Sequence, residues 1–176
     1  MKKPEDIPLF PLGIVLFPGG RFELQIFERR YIDLISHCMR TETGFGICLL
    51  KSGGETTREN LEQTTHDTGT YVKIVDWNQL ESGLLGITVK GSQKVSIKAV
   101  EELESGLHYA SISPIAEPVV DDQAVLAQFP ELINVLSQLK EHPQVKSLPL
   151  EIDLLSAESV SYQLAGLIPI TPMQKQ

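Results

Sequence analysis

Cysteine is scarce in this sequence, with two in 176 residues, Cys38 and Cys48. That excludes a small secreted fold stapled by disulfides, and a reducing cytoplasm is the expected compartment. Cations are also in short supply, 15 Lys and Arg against 23 Asp and Glu, for a net charge of −8. Nucleic-acid binding depends on clustered cations that displace counterions from phosphate, so no DNA partner is expected and RNA is disfavoured. No apolar run approaches the ~20 residues of a membrane span, and no membrane partner is expected. Lys2 and Lys3 do precede an apolar stretch from Ile7 to Phe17. Glu5, Asp6, Pro8 and Pro11 interrupt it, which reads as a first strand rather than a signal sequence.

Signatures of catalysis are missing as well. There is no Gly-x-x-x-x-Gly-Lys-Ser/Thr phosphate loop, no Gly-x-Gly-x-x-Gly and no Gly-x-Ser-x-Gly elbow. His37 and Cys38 are adjacent on a helical stretch, so their side chains diverge by about 100° and do not share a metal easily. The other three histidines, His66, His108 and His142, lie in separate segments. Cys38 and Cys48 read as small buried apolar residues, and Glu101, Glu102 and Glu104 as a solvated surface. No enzyme activity, metal or cofactor is expected.

What is present is a globular composition, 41% hydrophobic and 22% charged. From Ile7 to about Gly91 short apolar or alternating runs are broken by Gly and Pro, a strand signature. Ile7–Leu12 reads as a proline-broken, edge-like strand, and Phe17-Pro18-Gly19-Gly20 as a turn into Phe22–Ile26, with Phe22, Leu24 and Ile26 on one face. The period then changes: Tyr31, Leu34, Ile35 and Cys38 mark a helix over 28–40, with Gly44 as its stop. Phe45–Leu50 is an apolar strand, and the polar stretch Lys51–Asp67 a long exposed loop. Further strands are expected at Tyr71–Val75, Leu84–Val89, Val95–Val100 and Tyr109–Ser113, the first two joined by a Glu81-Ser82-Gly83 hairpin turn, in an antiparallel barrel-like sheet. Beyond Pro118 the pattern is helical. One run, capped by Asp121 or Asp122, places Val125, Phe129, Leu132, Leu136 and Leu139 on a face and is broken near Phe129 by Pro130. Another starts at Ser156 and carries Val160, Leu164, Leu167 and Ile168, and Thr171-Pro172 opens a last turn. The division is a β-rich domain over 1–118 and a helical tail over 119–176.

Pro8-Leu9-Phe10-Pro11-Leu12, then Val15-Leu16-Phe17-Pro18-Gly19, then Ile26-Phe27-Glu28-Arg29-Arg30-Tyr31 closely resembles the opening of the Lon protease N-terminal domain family. Phe45-Gly46-Ile47, Gly69-Thr70 and Val89-Lys90-Gly91 follow in the family's order, so the resemblance spans essentially the whole chain. Lys94 departs from it, standing where the family often carries Arg. No ATPase or Ser-Lys protease module accompanies the resemblance, which is that of a stand-alone Lon-domain protein. It implies an α+β fold, a PUA-like six-stranded pseudo-barrel with one inserted helix and a helical C-terminal part. In function it implies an ATP-independent, non-catalytic module that recognises client polypeptides or a partner protein. The motif residues Pro11, Pro18, Gly19, Phe27, Glu28, Arg30, Tyr31 and Gly91 read as structural: Pro18-Gly19 makes a turn, Phe27 staples back onto the helix, and Glu28 sits in its first turn. Candidate polypeptide contacts are Trp77, Phe10 and Phe22, because large aromatics dominate interface energetics. Bound peptides are expected to be apolar, with little dependence on salt. The alternative is a small-ligand or RNA-binding PUA-like domain, whose RNA version requires Arg21, Arg29, Arg30, Lys73, Lys90, Lys94 and Lys98 to form one basic strip.

Overall fold

The computed structural model describes residues 6–55, 63–146, 148 and 150–176. Six strands carry the first part of the chain: β1 (Asp6–Leu12), β2 (Arg21–Ile26), β3 (Phe45–Ser52), β4 (Thr64–Gln79), β5 (Leu85–Glu102) and β6 (His108–Pro114), with helix α1 (Arg29–Thr41) between β2 and β3. The sheet runs β2-β5-β4-β3-β1-β6, and β6 returns to pair with β5. A closed ring of β5, β4, β3, β1 and β6 results, with β2 attached to the first half of β5, and closure leaves few free edges. The fold is therefore α+β with a six-stranded pseudo-barrel, as the resemblance implied.

Four sequence expectations need correction. The runs at Leu84–Val89 and Val95–Val100 are one strand: β5 pairs with β2 over 85–90 and with β6 over 95–102, bending at register shifts, one of which holds Ala99 at a φ of 50°. The sheet is not wholly antiparallel, because β1 and β3 pair in parallel, a geometry that needs a long crossover, supplied by residues 13–44. Nor is β1 an edge. It is buried from Pro8 to Leu12 between two neighbours, yet residues 6–8 pair with β6 and 9–12 with β3. This handover leaves one unbonded side for each proline. Finally, α1 is stopped by Glu42 in the left-handed region (φ 55°), while Gly44 belongs to the entry of β3 and donates its N–H to the Tyr71 hydroxyl at 2.7 Å. Of the expected loop at Lys51–Asp67, the two ends extend β3 and β4, and residues 56–62 lie outside the described part.

Other local expectations are met. Gly20 donates to the Phe17 carbonyl at 3.0 Å with Gly19 at φ 74°, the turn that Pro18-Gly19 encodes. Gly91 exchanges backbone bonds with this turn, at 2.9 Å to Gly19 and 2.8 Å to Gly20, and a Cβ on it would stand 2.4 Å from the Phe17 carbonyl oxygen. Gly83 closes the expected hairpin turn by donating to Leu80 at 2.8 Å. Tyr31, Leu34, Ile35 and Cys38 of α1 join Phe10, Phe45 and Val72 in the main core, and a smaller cluster gathers Leu9, Cys48 and Ile97. Burial pushes the Cys48 thiol up to about 12, and Cys38 is also raised, so both are inert apolar fillers.

The helical part comprises α2 (Asp122–Gln128), α3 (Pro130–Glu141), α4 (Pro143–Lys146), α5 (Ala157–Leu167) and α6 (Pro172–Lys175). Asp121, Ser156 and Thr171 are the N-caps, accepting from Ala124, Ser159 and Gln174 at 3.2, 3.2 and 3.3 Å. Among the five residues assigned to the apolar face of α2 and α3, only Leu136 is buried, against Val160 and Leu164 of α5. Phe129 and Leu132 are exposed, because the cover from α5 is centred on Leu136, one turn further along α3. No helix among the described residues is long and apolar enough to cross a membrane.

Candidate functional site

The end of β1, the strand β2 and the first turn of α1 enclose an apolar groove of about 310 Å³. Phe10 forms its floor, 6% exposed and stacked on the Tyr31 ring with centroids 3.9 Å apart. Leu12, Ile14 and Leu24 extend the lining, and Phe22 stands at the mouth at 36% exposure. Phe27, expected to staple onto the helix, is instead 55% exposed and supplies a wall of the groove. Two of the three candidate contacts, Phe10 and Phe22, thus come together. Trp77 does not join them. It is 58% exposed in a separate depression with Met39, Thr43 and Val75, beside the C-terminal turn of α1.

The groove's helix wall is pinned by a buried arginine. Arg30 donates from Nη1 to the Gly106 carbonyl at 2.6 Å and from Nε to Glu28 at 3.1 Å, with its guanidinium 4.5 Å from the centre of the Tyr31 ring. Glu28 is thus the N-cap residue, with no cap bond from its own side chain; its carboxylate serves Arg30. The Tyr31 hydroxyl is buried without a hydrogen-bond partner among the described residues, and burial holds its phenol far above the usual range, hence protonated.

Ile14 and Phe22 also line a second concavity of about 300 Å³, which runs between the barrel and the helical part and is closed by Leu148, Tyr162 and Leu167. Ion pairs border this seam. Glu151 receives Arg21 and, at 2.5 Å, Lys90, while Lys94 meets Glu117 at 2.8 Å and the Tyr162 hydroxyl donates to the same carboxylate. Hydrogen bonds from these cations hold both carboxyl groups below the usual carboxylate range. The seven cations required for a basic strip are therefore largely spoken for, since Arg30 pairs with Glu28 and Arg29 with Asp33. Among the described residues, no group of three or more His, Cys, Asp and Glu side chains is placed to hold a metal ion.

The family described as ATP-dependent protease La (LON) substrate-binding domain matches residues 6–176. The chain belongs to the Lon substrate-binding domain family. Among solved structures, it is similar to a Lon N-terminal domain protein from Xanthomonas campestris, with 28% identity and a TM-score of 0.77 over 97% of this chain and 86% of that one. The N-terminal domain of a Mycobacterium avium complex Lon protease shares the fold at a TM-score of 0.67 and 15% identity, over 97% of this chain and 87% of that one. A comparison with curated proteins finds no match. Within this Lon-family domain, Pro18, Gly19, Arg30, Tyr31 and Gly91 all hold backbone or packing positions, while Phe27 reaches the surface. The sequence reading missed the groove because its walls come from three elements, and nothing local ties Glu55, whose Oε1 accepts from the Gly13 N–H at 2.5 Å, to that place.

Proposed function

We propose that the protein is a non-catalytic, ATP-independent module of the cytoplasm that holds an apolar segment of a client polypeptide or partner protein in the groove between β1, β2 and α1. One observation carries this reading: Phe22 and Phe27 stand half-open beside a floor of Phe10 and Tyr31, offering ready apolar contact without unfolding any element. The volume lies at the low end of the roughly 300–1,000 Å³ typical of ligand sites, which suits one or two side chains of an extended segment and weak, reversible holding. The description of the matched family as substrate-binding, and the pairing of Arg21, Lys90 and Lys94 with carboxylates, support a protein client over RNA. Residues 1–118 and 119–176 act in this reading as a barrel that binds and a tail that braces it. Trp77, with Met39 and Val75, serves as a second contact for a client large enough to touch both surfaces.

Replacing Phe27 by Ala tests the proposal with little structural cost, because the ring is more than half exposed. The expected loss of affinity for fluorescently labelled peptides rich in Phe, Leu and Val is about 1–2 kcal/mol, roughly five- to thirtyfold. Unchanged anisotropy titrations with a folded variant would remove the groove as the site.

A further inference from the structure

The groove carries charge of one sign. Among the described residues, every charged side chain that lines it is a carboxylate, Glu23, Glu28 or Glu55, with no Lys or Arg in that lining. Arg30 balances Glu28 at 3.1 Å, which leaves Glu23 and Glu55 as excess negative charge. Glu55 is oriented rather than neutralised, because its partner is the Gly13 backbone N–H. Beneath the floor, the Tyr31 hydroxyl is buried and lacks a partner among the described residues.

We infer that the groove selects apolar polypeptide segments followed closely by lysine or arginine, the apolar side chains settling on Phe10, Phe22 and Phe27 and the cation meeting Glu23 and Glu55. The inference rests on the reading of the groove as a polypeptide site and adds a charge preference to it. Aromatic faces beside carboxylates suit such a segment twice over, since a cation gains from the rings as well as from the acids. An anionic segment brought to the same place meets repulsion in a partly desolvated setting, so the rim also rejects. Little salt dependence is what apolar contact alone predicts; this rim adds a screened component to it.

Three blocked peptides test the preference, acetyl-Gly-Phe-Leu-Val-Gly-X-X-amide with X as Lys, Gln or Glu, titrated against the whole protein by calorimetry or anisotropy. At low salt the Lys peptide is expected to bind about three- to tenfold more tightly than the Gln peptide, and the Glu peptide more weakly than either, the scale of two exposed ion pairs. Raising salt from about 0.05 M to about 0.5 M should shrink the ratio toward one. The double variant Glu23→Gln and Glu55→Gln, checked for unchanged thermal unfolding, should collapse the Lys-to-Gln ratio at low salt. Equal binding of all three peptides to the native protein, or a ratio that survives in the double variant, would overturn the charge preference while leaving an apolar groove standing. Failure of all three to bind would overturn the groove itself.

Discussion

The barrel with α1 buries a large main core that runs from Phe10 and Leu12 through Tyr31 and Ile35 to Phe45, Val72 and Val89, and a smaller one around Leu9, Cys48 and Ile97, whereas the helical part gathers a single small cluster around Leu136, Val160 and Leu164. The barrel closes on itself through β5 and β6; the helices border the barrel with ion pairs at Glu151 and Glu117 and the stacking of Tyr162 on Phe17 at 5.5 Å. Apolar burial scales with area and is insensitive to salt, while partly exposed ion pairs are weak and screened. The lesson is that the two parts should fail under different conditions, and that the seam between them is the softer place.

The largest effect is expected inside the barrel. Phe45 is fully buried against Phe10, so Phe45→Ala should cost about 3–5 kcal/mol and lower global stability in denaturant titrations. A loss below 1 kcal/mol would mean that the barrel core is not the shared support of the fold. Leu136→Ala deletes a side chain equally buried but set in the helical cluster, with an expected local cost of about 2–5 kcal/mol. Here hydrogen exchange should rise across α2, α3 and α5 and stay protected in β3–β5. Equal loss of protection in the strands would dissolve the distinction between the two parts.

Acid offers a gentler way to separate them. Glu117 and Glu151 have carboxyl groups held below 4.5 in the folded chain, by hydrogen bonds from Lys94 and Lys90 respectively. A depressed folded value means that the unfolded or detached state binds more protons, so the contribution is present above the ordinary carboxylate range and is lost as pH falls through the folded value. Backbone amide spectra followed downward from about pH 6 should therefore show changes first at the seam and in α5, before the barrel core responds. High salt at neutral pH should weaken the same contacts. Simultaneous collapse of barrel and helices would break the comparison.

How much of this was legible in the sequence depends on how local each determinant is. The Pro18-Gly19 turn, the Gly83 hairpin, the caps at Asp121, Ser156 and Thr171 and the four buried apolar positions of α1 are encoded within a few residues, and they appear where the pattern places them. Long-range partners decided the rest. Lys90 to Lys94 reads as a break, yet Gly91 is held by Gly19 and Gly20 across the barrel, so β5 runs on. Phe129 and Leu132 share the period of Leu136 but face solvent, because the cover from α5 is centred on Leu136 and does not extend to the start of α3. Of the groove, Phe10 and Phe22 were legible as aromatics; the exposure of Phe27 and the arrival of Glu55 depend on how β1, β2 and α1 are set against each other.

The smallest expected effect on stability belongs to Trp77. Its ring is 58% exposed on β4, with Met39 and Val75 exposed beside it, so Trp77→Ala should change unfolding stability by no more than about 0.5 kcal/mol. A loss of roughly 3–5 kcal/mol, the scale of a deleted core aromatic, would place the ring inside and remove it from any binding surface. Function separates the two surfaces more finely. Among the described residues none lines both the Trp77 depression and the groove, so a short peptide that fills the groove should bind the variant as well as it binds the native chain. A long client such as a reduced and alkylated, permanently unfolded protein can touch both places, and for it the loss of an aromatic anchor should weaken binding by about 1–2 kcal/mol. Measured on the same variant, weakened long-client binding with intact short-peptide binding makes Trp77 a second contact on the barrel; unchanged binding of both leaves the groove as the sole anchor and strips Trp77 of that role.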